Sequence, residues 1–216
     1  MRKYILIPSH ENPTTCSSDK LTDLSFDIMV EVKKRRIHVG YVLGVFCPEK
    51  VLRFPAPSVA YNSFYTADMS DFMDGLLGLP ESILNTFSDS FFIQEITILP
   101  PYRKRNIASE CLSQFHHLFR QSCGLTISRI FLTPFPIEVN PDNVTELNYM
   151  FKRLVRFYLR NGFTYSNPLV GHPSELLLSD QPPLTSWNPL LLTKAYSVQK
   201  DSVRESNVNL ESTTVS

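Results

Sequence analysis

Two stretches early in the chain alternate between apolar and polar positions. Over residues 26–32, Phe26, Ile28, Val30 and Val32 alternate with Asp27, Met29 and Glu31. Over residues 37–46, Ile37, Val39, Tyr41, Leu43 and Val45 share one side. Period two is the spacing of a half-buried strand, so the pair predicts a β-hairpin closed by a four-residue basic turn, Lys33-Lys34-Arg35-Arg36. A short strand at residues 4–7 and a polar loop at 8–23 precede it. Residues 48–90 are interrupted by Pro48, Pro55, Pro57 and Pro80. Within them Met69, Phe72, Met73, Leu76 and Leu77 recur at helical spacing, and Pro80 suits the first position of a second short helix. This segment reads as a helical insertion.

The second half of the chain changes rhythm. Residues 91–99 form an apolar, β-rich run interrupted by Gln94 and Glu95 and stopped by Pro100-Pro101, the pattern of a central strand. A helix opens near Ile107 with a buried stripe of Ala108, Cys111, Leu112, Phe115, Leu118 and Phe119. Residues 125–133 predict the next strand, closed by Pro134 and Pro136. A second helix over 144–160 carries Leu147, Met150, Phe151, Leu154, Val155 and Tyr158 on its apolar face. It is framed by Asn143 with Glu146 at its start and Gly162 at its end. Short strands are expected at 163–165 and 175–179, and a disordered tail over 196–216. Strands followed by strand–helix–strand–helix–strand give an α/β (α+β) fold, a mixed sheet flanked by helices in a single domain over 1–195.

Composition narrows the function classes. Of 216 residues, 43% are hydrophobic and 19% charged, and 21 basic residues balance 21 acidic ones. A neutral chain has no global field drawing it to nucleic acid or an anionic membrane, so any basic contact is local. No apolar run approaches the roughly 18 residues of a membrane span, and the apolar run at the N-terminus stops at Pro8, too short for a secretory leader. Cys16, Cys47, Cys111 and Cys123 form no C-x-x-C pair, which favours a reducing cytoplasm. None of the five histidines stands at a metal-ligand spacing, so no metal is expected.

One segment carries chemistry. Ile96-Thr97-Ile98-Leu99-Pro100-Pro101-Tyr102-Arg103-Lys104-Arg105-Asn106-Ile107-Ala108-Ser109 reads as a strand, a tight turn and a helix start. Such a turn presents backbone N–H groups with the positive end of the helix dipole behind them, a site for phosphates. Arg103, Lys104 and Arg105 add local charge, Ala108 and Ser109 admit a close ligand, and Asn106 tolerates a left-handed backbone.

This run resembles the acetyl-coenzyme A signature of the GNAT superfamily of N-acetyltransferases, V-x-P-x-[YF]-[QR]-x-x-G-x-[GA]. Ile98, Pro100, Tyr102, Arg103 and Ala108 match, while Asn106 and Lys104 stand where glycines are usual. The family's Y-x-x-x-G-F follows as Tyr158-Leu159-Arg160-Asn161-Gly162-Phe163. The resemblance covers roughly residues 91–180. It implies a mixed, mostly antiparallel sheet with acetyl-coenzyme A wedged between the strand at 96–98 and the strand at 125–133. Pantetheine would pair with the backbone of the first strand near Ile96 and Ile98, and the pyrophosphate would sit on amides from Arg103 to Ser109, Ile107 included. An asparagine common seven residues before the motif tyrosine is Phe151 here; the two helices that build the family's usual acceptor wall shrink to the 8–24 loop, while residues 48–90 are inserted between the third and fourth strands.

The activity implied is transfer of an acetyl group from acetyl-coenzyme A to an amine, a small molecule or a protein, by direct attack in a ternary complex. No DNA or membrane partner is implied, and the chain would act as a monomer or homodimer. Tyr158 would protonate the leaving sulfur, although it also continues the apolar stripe of its helix. Glu95 is the candidate base or water relay, although a lone strand carboxylate also suits an edge ion pair. A catalytically weak or inactive acyl-coenzyme A-binding module acting through protein contacts is the alternative.

Overall fold

The computed structural model describes residues 3–9, 20–53, 88–134, 136, 139–140, 143–165 and 192–196. The helices expected around Met69 and from Pro80, the strand at 175–179 and the tail beyond Tyr196 lie outside those residues. In chain order the elements are β1 (Lys3–Pro8), β2 (Thr22–Val32), β3 (Arg35–Cys47), α1 (Glu49–Arg53), β4 (Ser90–Ile98), a 3-10 turn (Pro100–Tyr102), α2 (Ile107–Cys123), β5 (Arg129–Leu132), α3 (Val144–Arg160), β6 (Thr164–Tyr165) and β7 (Leu192–Ala195). The strands form one mixed sheet in the order β1-β2-β3-β4-β5-β7-β6. Every neighbouring pair is antiparallel except β4 and β5, which α2 connects in parallel.

The basic turn is tighter than the sequence pattern predicts. Val32 pairs with Arg35, leaving only Lys33 and Lys34 in the turn, both left-handed at φ 49° and 66°. Two such residues give the turn whose twist matches its strands, so Arg35 and Arg36 join the ladder instead. The predicted face of β3 also changes. An irregularity where Ile28 pairs with Gly40 but Met29 with His38 leaves Val39 as an extra residue, and beyond it the side chains swap sides. Val42 and Phe46 therefore join Val39 in the core, while Leu43 is exposed.

The core lies between this face of the sheet and helices α2 and α3. Phe26, Phe91, Phe115 and Phe119 meet with ring centroids 5.1 to 6.2 Å apart, in tilted and edge-on pairs. The stripe expected on α2 is buried at Cys111, Leu112, Phe115, Leu118 and Phe119, with Ile107 in place of the half-buried Ala108. Gly124, left-handed at φ 73°, ends that helix by donating its N–H to Arg120 O. α3 buries Leu147, Val155 and Tyr158. Its N-terminus is held reciprocally: the Glu146 N–H donates to Asn143 Oδ1 at 3.2 Å and Asn143 Nδ2 donates to Glu146 Oε2 at 2.9 Å. Strand β7 has no counterpart in the sequence reading, because Leu-Thr-Lys-Ala is too short to show a period.

Candidate active site

β4 and β5 part company halfway along. Their pairing runs from Ser90–Arg129 to Ile93–Leu132 and stops, while β4 continues to Ile98. Both strands contribute. On β5, Leu132 is followed by Thr133 and Pro134, and proline has no N–H for the ladder. On β4, Leu43 pairs with Glu95 but Gly44 with Ile93, so Gln94 is an extra residue that bends the strand away. The partner strand accommodates the bend with glycine. A Cβ at Gly44 would lie 2.2 Å from Phe92 O. The fork opens a cleft of about 1220 Å³ whose walls are β4, the turn after it, α3 and the end of β5.

The turn is built as its residues suggest. The Leu99 N–H donates to Val39 O at 2.9 Å, which anchors the chain as it leaves the sheet, and the 3-10 turn Pro100–Tyr102 carries it over the strand end. Lys104 and Asn106 both adopt the left-handed conformation, with φ 60° and 64°. These are the two positions where glycine is usual in the resembling signature. Asn106 heads α2 without a side-chain cap, and the first helical bond is Glu110 N–H to Asn106 O at 3.0 Å. The amides of Ile107, Ala108 and Ser109 precede it, so the helix itself offers them no acceptor. Ile96, Ile98, Arg103, Lys104, Asn106, Ile107, Ala108 and Ser109 all line the cleft. Arg105 does not; its guanidinium lies over the Tyr102 ring at 5.8 Å. Arg103 lines the cleft while its Nε donates to Ile98 O at 2.9 Å, a bond that closes the turn.

Both sequence-predicted catalytic candidates reach the same cavity. Tyr158 is 8% exposed and sits edge-on to Phe157 and Phe163, with centroids 5.2 and 5.4 Å away. Its hydroxyl meets no hydrogen-bond partner among the described residues, and burial pushes the phenol up to about 12. The Tyr158 ring packs in the core, and the residue also lines the cavity. Among the described residues Glu95 makes no ion pair. Its Oε1 accepts from the Tyr41 hydroxyl at 2.5 Å and from Thr97 Oγ1 at 2.8 Å, and all three residues line the cleft.

Sequence reasoning missed three features. Tyr41 and Thr97 hold Glu95, and only strand register brings Tyr41 opposite Thr97. Thr133 lines the cleft at the fork with a buried Oγ1 that lacks a partner among the described residues. Arg153, Arg156 and Arg160 line it from α3. Their i, i+3, i+7 spacing was available as a signal, parallel to the apolar stripe. Phe151, in the place of the family's asparagine, is half-buried and packs on the core.

The remaining candidates are inert or peripheral. Among the described residues no three His, Cys, Asp or Glu side chains stand together as a metal site. Burial pushes the Cys111 thiol up to about 12 and raises Cys47 further, so neither is a nucleophile at neutral pH. No described helix is long and apolar enough to cross a membrane.

No protein-family model matches the chain, and no curated protein matches it. Solved structures similar to the chain include the following two. Nourseothricin acetyltransferase is 12% identical, with a TM-score of 0.32, over 79% of this chain and 65% of that one, so the chain spans just under two thirds of that protein's length. The loading GNATL domain of CurA from Lyngbya majuscula is 13% identical, with a TM-score of 0.35, over 78% of this chain and 75% of that one. At such scores neither likeness bears on the chemistry, which rests on the cleft itself.

Proposed function

We propose that this chain is a GNAT-type acyltransferase that carries an acetyl group from acetyl-coenzyme A to an amine acceptor bound in the same cleft. One observation carries the reading. The strand fork joins a basic, left-handed turn at one helix start to a buried tyrosine whose hydroxyl is unengaged among the described residues. A nucleotide thioester needs those features in that arrangement: an anion seat at one end, free strand edges for an amide-bearing arm, and a proton donor where the sulfur leaves.

The residues fit the group. Amides of Ile107, Ala108 and Ser109 with the Arg103 and Lys104 charges suit the pyrophosphate. The backbone of β4 beyond Ile93, which β5 no longer pairs, suits the pantetheine amides near Ile96 and Ile98. Bound there, the thioester supplies an activated acetyl group. Tyr158 stays protonated at neutral pH and donates toward the departing sulfur. Burial also raises the proton affinity of a thiolate, so the phenol proton moves as the bond to sulfur breaks. Glu95, polarised by Tyr41 and Thr97, takes the proton from the attacking amine directly or through one water.

Calorimetry with coenzyme A and a thiol-release assay over an amine panel test this reading. Ala108→Trp, which fills the space above the helix amides, should abolish coenzyme A binding. Failure of the wild-type chain to bind would end the proposal. The position of Phe151 favours a second reading, a module that binds acyl-coenzyme A without turning it over. Saturable binding with no thiol release would establish it.

A further inference from the structure

The neutral chain concentrates positive charge in its cleft. Among the described residues Arg103, Lys104, Arg153, Arg156 and Arg160 line it, against a single carboxylate, Glu95, already engaged by two hydroxyls. Arg103 and Lys104 belong to the turn at the start of α2 and answer the pyrophosphate. The three arginines of α3 remain unassigned.

Three observations separate them from an ordinary solvated face. They lie at i, i+3 and i+7, so neighbours of like charge stand together along the helix, an arrangement that destabilises it. None makes an ion pair or hydrogen bond among the described residues. The helix supplies no counter-charge either, since its one acid, Glu146, is in the first turn and bonded to Asn143. The helix dipole explains a cation at Arg160 in the last turn but not Arg153, two turns earlier.

We propose that Arg153, Arg156 and Arg160 form a second anion subsite at the α3 wall, which takes a phosphate group in addition to those held at the α2 turn. Planar guanidinium groups bind phosphate bidentately, and three on one helix face enclose a dianion better than a mobile counter-ion does. The inference rests on the acyl-coenzyme A reading and extends it. The phosphate belongs either to the 3′ position of the coenzyme A nucleotide or to a phosphorylated acceptor.

The test compares the full chain with a variant carrying Arg153→Gln, Arg156→Gln and Arg160→Gln. The replaced side chains are exposed, so the melting temperature should stay put. Coenzyme A and 3′-dephospho-coenzyme A are titrated by calorimetry. Inorganic phosphate is titrated by NMR, with and without saturating coenzyme A. If the subsite takes the 3′-phosphate, the variant loses about tenfold or more for coenzyme A and nothing for the dephospho form. If it takes the acceptor's phosphate, both nucleotides bind the variant normally. The coenzyme A-saturated wild type then still binds inorganic phosphate, with shifts confined to α3, and the variant does not. Identical behaviour of wild type and variant in all titrations overturns the subsite. A wild type that binds neither nucleotide instead overturns the cofactor reading, and the phosphate titration without nucleotide still decides the arginine row.

Discussion

The Tyr41 hydroxyl donates to Glu95 Oε1 at 2.5 Å, across a sequence separation of 54 residues. With Thr97 donating to the same oxygen at 2.8 Å, the carboxylate is aimed rather than merely placed. Glu95→Gln keeps an acceptor for both hydroxyls, so folding should be unaffected. Loss of the base should lower kcat by roughly 10²–10³ with coenzyme A affinity unchanged. Steady-state kinetics beside calorimetry reads both. A Gln variant of full activity removes Glu95 from the chemistry.

Tyr158→Phe deletes one hydroxyl and keeps the ring between Phe157 and Phe163. Among the described residues the hydroxyl has no partner to strand, so the melting temperature should hold or rise slightly. kcat should fall by roughly 10²–10³, and less with an acyl donor whose leaving group has a lower pKa. Burial holds the phenol near 12, so Tyr158 contributes no limb to the rate profile between pH 6 and 10. Wild type and variant should therefore give profiles of the same shape, displaced in height.

Asn106 occupies φ 64°, ψ 12° at the head of α2. Asn106→Gly should be tolerated, since glycine meets no strain there. Asn106→Val puts a β-branched side chain where left-handed backbone costs roughly 1–2 kcal/mol, so both stability and coenzyme A affinity should drop. Equal affinity for Val and Asn would mean that the turn binds no phosphate in this conformation.

Gly44 faces the bulge at Gln94, with Phe92 O 2.2 Å and the Phe91 ring 2.7 Å from an added Cβ. Gly44→Ala must separate β3 from β4 and should cost several kcal/mol or prevent folding, on the scale of strained core substitutions. Chemical denaturation measures it. An alanine variant of unchanged midpoint would contradict the register between these strands.

His116 on α2 stacks on Tyr196 with centroids 4.5 Å apart, and its Nδ1 is buried without a partner among the described residues. Desolvation, then His117 and Lys194, lower its pKa below the ordinary histidine value of about 6.5. The unfolded chain therefore binds the proton more readily than the folded one. The stability this adds is fully present above pH 6.5 and is lost as pH falls through the lowered value. Thermal melts from pH 7.5 to 4.5 should show a step in wild type that flattens in His116→Gln.

Much of the architecture was legible in one dimension, for reasons that differ by element. α2 and α3 announce themselves because a 3.6-residue stripe is a property of the segment, as are the Asn143–Glu146 cap and the glycine at 162. The β4–turn–α2 unit was legible because prolines, basic residues and a residue tolerant of positive φ stand in consecutive order. β3 shows where such reading fails. Its apolar alternation is genuine, but one bulge at Val39 reverses the face that meets the core, and a bulge is decided by the neighbouring strand.

The sequence by itself determined the local devices: the hairpin, the stripe that buries Tyr158, the basic left-handed turn with Asn106 at its hinge, and Pro134 that stops β5. It nominated Tyr158 and Glu95 because both residue types are chemically apt where the local pattern puts them. Only the tertiary structure decided what those residues meet. Register brought Tyr41 onto Glu95, the bulge at Gln94 pulled β4 from β5, and the fork made one cavity of a turn, a strand and a helix face. These are pairings between distant segments, and their energy depends on distances between side chains that no period or composition along the chain contains.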